Sequence, residues 1–160
     1  MQILKRTFAA AAAVTLVAAA AQAQSKDFSG QWEMNAAKSD FGPMAGQGPS
    51  KITMTVTQST TTVKVAQAMS TPQGDLNQST DYTLDGKEAT SNGADGQPVT
   101  SSAKLDGDAL VINSKLSRQG MDITRVSHWT LSPDGKSLTV SQDLVTPMGA
   151  MSMKLVFDKK

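Results

Sequence analysis

Residues 99–116 read VTSSAKLDGDALVINSKL, and this stretch decides the fold. Val99, Ser101, Ala103 and Leu105 share one parity, with Thr100, Ser102 and Lys104 between them. After Asp106-Gly107-Asp108 the pattern resumes, with Leu110, Ile112, Ser114 and Leu116 on one parity. A period of two broken by an Asp-Gly turn specifies two antiparallel strands in a hairpin, because successive side chains of a strand point to opposite faces.

The same grammar runs outward in both directions. Towards the C-terminus, Met121–Leu131, Ser137–Val145 and Ala150–Phe157 read as strands. They are separated by Ser132-Pro133-Asp134-Gly135-Lys136 and Thr146-Pro147-Met148-Gly149. Towards the N-terminus, Phe28–Met34, Lys51–Gln58, Thr61–Met69 and Leu76–Leu84 read as strands, with Lys87–Ser91 as a short edge strand. Gly, Pro, Asn and Asp mark the turns between them. Short connections make neighbours antiparallel, and a meander of eight to ten strands closes on itself to remove its edges. The expectation is an all-β, up-and-down barrel, with eight strands as the leading count and a two-sheet sandwich as the alternative.

Residues 1–23 have a different composition. Lys5 and Arg6 precede an apolar run from Phe8 to Ala21, and Ala21-Gln22-Ala23 is a small-x-small site. These are the parts of a secretory signal peptide. The run is about 14 residues, short of the roughly 20 that a spanning helix needs. The expected organisation is therefore a cleaved signal at 1–23 and one barrel domain at 24–160, exported to the periplasm or beyond.

The 160-residue chain carries a formal net charge of +1. Removing Lys5 and Arg6 leaves −1, which provides no electrostatic footprint for nucleic acid. No later run is long and apolar enough to span a membrane as a helix. There is no cysteine, so thiol catalysis, zinc–thiolate sites and iron–sulfur clusters are excluded.

The inward face carries a second message. Strand ends are apolar on this parity, but mid-strand positions are often polar: Gln78, Thr80, Ser101, Ser114, Arg125, Ser127 and Gln142. Burying such a group without a partner costs about 1–3 kcal/mol. One reading is a barrel with a wet or ligand-filled middle. The other is a filled barrel whose polar residues pair across strands or are turned outward by bulges. The first reading makes Tyr82, Arg125, Ser127 and Trp129 the candidate ligand-binding residues for a small hydrophobic or amphipathic ligand. The second makes the protein an envelope or secreted interaction module working through its loops, above all Asn35–Ser50.

Catalytic constellations are not legible. His128 is the single histidine and lies on the parity opposite Trp129, so it is expected to face solvent. Asp85, Asp95, Asp106 and Asp134 sit in Asp-Gly turns, whose chemistry accounts for them. No Gly-x-Ser-x-Gly elbow, phosphate loop or metal-ligand spacing occurs. No catalytic residue, metal or cofactor is assigned.

Gly30-Gln31-Trp32, at the first strand, resembles the signature of the calycin superfamily, lipocalins above all. The resemblance implies that Gly30 and Trp32 build the closed base of a barrel, with Trp32 packed against a late-strand cation, for which Arg125 is the candidate. The stretch from Phe28 to Gly42, together with Trp129–Lys136, is similar to small exported bacterial lipocalin-like proteins of uncharacterised function. It implies barrel and export, and places the Asn35–Ser50 loop over the mouth.

Overall fold

The structure is a computed structural model that describes residues 26–160; the signal-peptide expectation falls on residues 1–23, outside the described residues. Ten strands form one antiparallel sheet. They are β1 (Gly30–Met34), β2 (Lys51–Gln58), β3 (Thr62–Thr71), β4 (Gly74–Thr83), β5 (Ala89–Asn92), β6 (Pro98–Asp106), β7 (Ala109–Arg118), β8 (Met121–Leu131), β9 (Ser137–Thr146) and β10 (Gly149–Lys159). Their order is β4-β3-β2-β1-β10-β9-β8-β7-β6-β5. Each strand pairs with its chain neighbour, except that β1 pairs with β10 and β4 does not pair with β5. The architecture is thus the expected meander, with ten strands rather than eight and one sheet rather than two.

The sheet curls until its edges nearly meet. Asp85, just after β4, bridges to Lys104 of β6, and Gly86 N–H donates to the Ala103 carbonyl at 3.0 Å. Along the rest of β4 and β5 no ladder crosses the seam.

Antiparallel connectivity gives the barrel two ends. Turns 59–61, 84–88, 107–108 and 132–136 lie at one, and turns 72–73, 93–97, 119–120 and 147–148 at the other, beside the 35–50 loop. The first end is closed by large side chains. Phe28, Trp32, Val63, Leu110, Leu138 and Phe157 are all fully buried there. Phe28 precedes β1 rather than belonging to it. Its ring meets Trp129 edge-on at 6.5 Å between centroids, and its carbonyl accepts from Trp32 Nε1 at 3.0 Å. The expected first strand therefore starts two residues later, and Phe28 plugs the floor.

Two open-end turns share one construction. In Thr71-Pro72-Gln73-Gly74 and Thr146-Pro147-Met148-Gly149, the threonine hydroxyl donates to the glycine carbonyl at 2.7 and 3.0 Å. It also accepts from the N–H two residues on, at 3.3 and 3.2 Å. The Asp-Gly turns behave as their chemistry predicts: Asp85, Asp95 and Asp134 each accept from the backbone N–H two residues later. Such Asx turns supply the hydrogen bond that fixes the loop.

The loop from β1 to β2 has two halves. Its first half is stapled to β10. Asp40 and Lys154 exchange two backbone hydrogen bonds of 2.7 Å, and Asn35 N–H donates to the Val156 carbonyl at 2.7 Å. Two 3-10 turns, Ala36–Lys38 and Gly42–Met44, follow the contour of the barrel. The second half crosses the open end.

Candidate functional site

Strand register stacks the inward side chains in rows. Ser101, Ser114, Arg125, Leu144 and Met151 form one row across β6–β10, and Ala103, Ile112, Ser127, Gln142 and Met153 form the next towards the floor. Below them lie Leu105, Leu110, Trp129, Val140 and Leu155. On the other wall Gln67 faces Gln78, and Val65 faces Thr80. The parity read from sequence therefore holds, and β8 points Arg125, Ser127 and Trp129 inward while His128 is exposed.

These rows surround a cavity of about 220 Å³. On the β8 face of this cavity Ser127 puts a small, buried side chain between Arg125 and Trp129; the small residues Ser101, Ala103 and Ser114 are buried on the neighbouring strands, outside its lining. Ser101 and Ser114 pair through their hydroxyls at 2.9 Å, so their burial is compensated. All four candidate ligand-binding residues line the cavity.

The lining is zoned. Trp129 and Leu155, one row nearer the closed end, form an apolar floor, and Ile112 and Val65 add apolar surface level with Ser127 and Thr80. A polar belt follows, with Gln67, Gln78, Thr80 and Tyr82 on one wall and Arg125, Ser127 and Gln142 on the other. Within it Gln78 Nε2 donates to Thr80 Oγ1 at 3.2 Å. Met153 shares the row of Ser127 and Gln142; Met69 stands nearer the mouth, where Phe41, Met44, Gly48 and Pro49 of the loop complete the lining.

Electrostatics single out one group. Among the described residues no carboxylate lies within 4.0 Å of the Arg125 guanidinium, whereas Arg118 on the preceding strand is paired with Asp95. Burial pushes the Tyr82 phenol above its ordinary value of 10.0, while the nearby Arg125 cation pulls it the other way. Trp129 adds a second unmet demand, since its indole Nε1 is buried and has no hydrogen-bond partner among the described residues. A partly buried, unpaired guanidinium beside a neutral phenol can hold an anion, carboxylates above all, through charge-assisted hydrogen bonds.

The structure corrects one role. Arg125 does not lie on Trp32; the cation over that ring is Lys159, with Nζ 5.3 Å from the centroid. Gly30 is the reason it fits. A Cβ there would come within 2.7 Å of Lys159 Cε, and φ is +143°. Gly30 and Trp32 lie towards the closed base, where the cation against the ring is Lys159. The expected Asn35–Ser50 loop supplies lining residues at the mouth, and Gln67 joins the candidates. Gln67 continues the parity of Val63 and Val65 and was legible from it. Phe41, Met44 and Pro49 belong to an irregular loop, which has no periodicity to read. Among the described residues no group of three or more His, Cys, Asp or Glu side chains is placed to hold a metal ion.

No family model matches the sequence, and no curated protein matches it. Solved structures do resemble it. The REP1-NXSQ fatty acid transporter superposes with a TM-score of 0.61 at 12% identity, over 82% of this chain and 95% of that one. The fluorescent protein UnaG gives 0.57 at 18%, over 83% and 97%. Zebrafish ileal bile acid-binding protein, in complex with cholic acid, gives 0.56 at 16%, over 83% and 98%. At these identities the likeness establishes a shared barrel fold and nothing finer.

Proposed function

We propose that this protein binds a small, partly apolar, acidic ligand inside its barrel. The observation that carries this reading is Arg125, an unpaired cation beside Tyr82 on the wall of an interior cavity. A partly buried charge with no carboxylate beside it is suited to an anion arriving with its ligand. The apolar floor supplies the hydrophobic contribution, at roughly 25 cal/mol per Å² of apolar surface buried. Ser127 and Trp129 complete the contact surface. The structural neighbours named for a fatty acid and a bile acid are consistent with this ligand class. Export, proposed from residues 1–23, would make the site an extracytoplasmic one.

A second reading, a protein-interaction module, is favoured by the apolar rim. Met44, Leu76, Val145 and Met148 are large, exposed and grouped around the open end.

The test is native mass spectrometry of the protein purified gently from its own source, with the denatured mass as reference, followed by displacement of a bound apolar dye by carboxylates. A reproducible mass lost on denaturation, or saturable displacement, is the expected result. A clean apo mass with no dye uptake would overturn interior binding in favour of the rim.

A further inference from the structure

We infer that the ligand is a compact carboxylate of on the order of ten non-hydrogen atoms, bearing at least one further hydrogen-bonding group, and not a long-chain acid. The inference rests on the interior-binding reading and concerns the same site.

Size comes first. The cavity is about 220 Å³. A dry cavity of ~150 Å³ accepts benzene, and pockets for drug-sized ligands span roughly 300–1,000 Å³. This cavity lies between them, which suits a single substituted ring or a medium-length chain.

The loop narrows the mouth. Phe41 and Met44 are part of the lining, and Phe41 is in turn packed against Gly48, where a Cβ would fall 2.7 Å from the ring. The root of this segment is held to β10 by the paired Asp40–Lys154 backbone hydrogen bonds. A longer chain would have to unseat that packing.

Chemistry gives the second half. Polar groups stand on both walls: Gln67 and Gln78 opposite Ser127 and Gln142, with Arg125 one row above. A carboxylate is the natural partner for Arg125, and Tyr82 lines the same cavity. A plain alkyl chain would then lay methylenes against the amides of Gln67 and Gln142, desolvating them without return. A hydroxyl or carbonyl on the ligand body meets that belt.

The experiment is calorimetric titration of the ligand-stripped protein with 4-hydroxyphenylacetate, octanoate and palmitate, with displacement of an anilinonaphthalene dye as the second readout. The hydroxylated aromatic acid should bind tightest, at least about tenfold above palmitate. A Gln67→Leu, Gln142→Leu variant, checked for fold by circular dichroism, should lose that preference and favour octanoate. Tightest binding of palmitate would overturn the inference and leave interior binding standing. Octanoate ahead of the hydroxylated acid in the native protein would overturn the second polar group. Dye uptake and binding absent throughout would remove the underlying reading.

Discussion

The Nζ of Lys159 stands 5.3 Å from the centre of the Trp32 ring, in space that exists because residue 30 has no side chain. The first strand and the last are thereby locked at the base, next to their own ladder of Trp32 with Lys159 and Met34 with Phe157. A Gly30→Ala substitution places a Cβ 2.7 Å from Lys159 Cε at a φ of +143°. Urea unfolding should show a loss of about 1–3 kcal/mol from this backbone strain. Lys159→Ala should cost only about 0.5–1 kcal/mol, the scale of an exposed cation–π contact. A Gly30→Ala effect smaller than that of Lys159→Ala would contradict the steric argument.

Arg125→Leu should separate binding from stability. Removing an unpaired, partly buried cation leaves the fold as stable or more so. The same change should weaken binding of an anionic ligand by at least about tenfold, the loss of a charge-assisted hydrogen bond. Measured affinity for a carboxylate that survives the substitution unchanged would place the anion elsewhere.

Tyr82 is the single tyrosine, so its ionisation can be followed by tyrosinate absorbance without interference. Its midpoint should lie above 10.0, because burial disfavours the phenolate more than Arg125 favours it. The folded-state value is raised, so this group's contribution to stability is intact below the unfolded value and is lost as pH climbs through the folded one. A carboxylate bound at Arg125 should push the midpoint higher still, by cancelling the cation's pull. A midpoint unmoved by ligand would dissociate Tyr82 from the anion site.

Ser101 and Ser114 should behave as a unit. Either serine changed to alanine leaves a buried hydroxyl without its 2.9 Å partner, at a cost of about 1–3 kcal/mol. The double alanine variant should be less destabilised than the sum of the two, as measured by a thermodynamic cycle in urea. Additive losses would show that the two hydroxyls do not depend on each other.

Lid packing offers a kinetic prediction. Gly48→Ala should drive the new Cβ into the Phe41 ring, which it would meet at 2.7–3.1 Å. Hydrogen exchange of the amides of residues 44–48 should then accelerate while that of β6–β9 stays the same, since Asp40 remains paired with Lys154.

Much of the interior was legible in one dimension. The period of two over 99–116, and its echo in β8, β9 and β10, placed Ser127, Trp129, Val140 and Leu155 on the inner face. The Asp-Gly turns announced the connections. Bulges, which would have inverted the parity, do not interrupt β8. By contrast, nothing near Trp32 points to Lys159, since the two residues are far apart in sequence and meet only when β1 pairs with β10.

Sequence by itself therefore determined the strands, the face each presents and the absence of thiol chemistry, because alternation and turn chemistry act over a few residues. Tertiary structure alone decided the count at closure, the partner of Trp32 and the unpaired state of Arg125. It alone also set the cavity of about 220 Å³. Each of these depends on which side chains of ten strands and a loop come to share one interior. That is a sum over distant residues, and no local pattern encodes it.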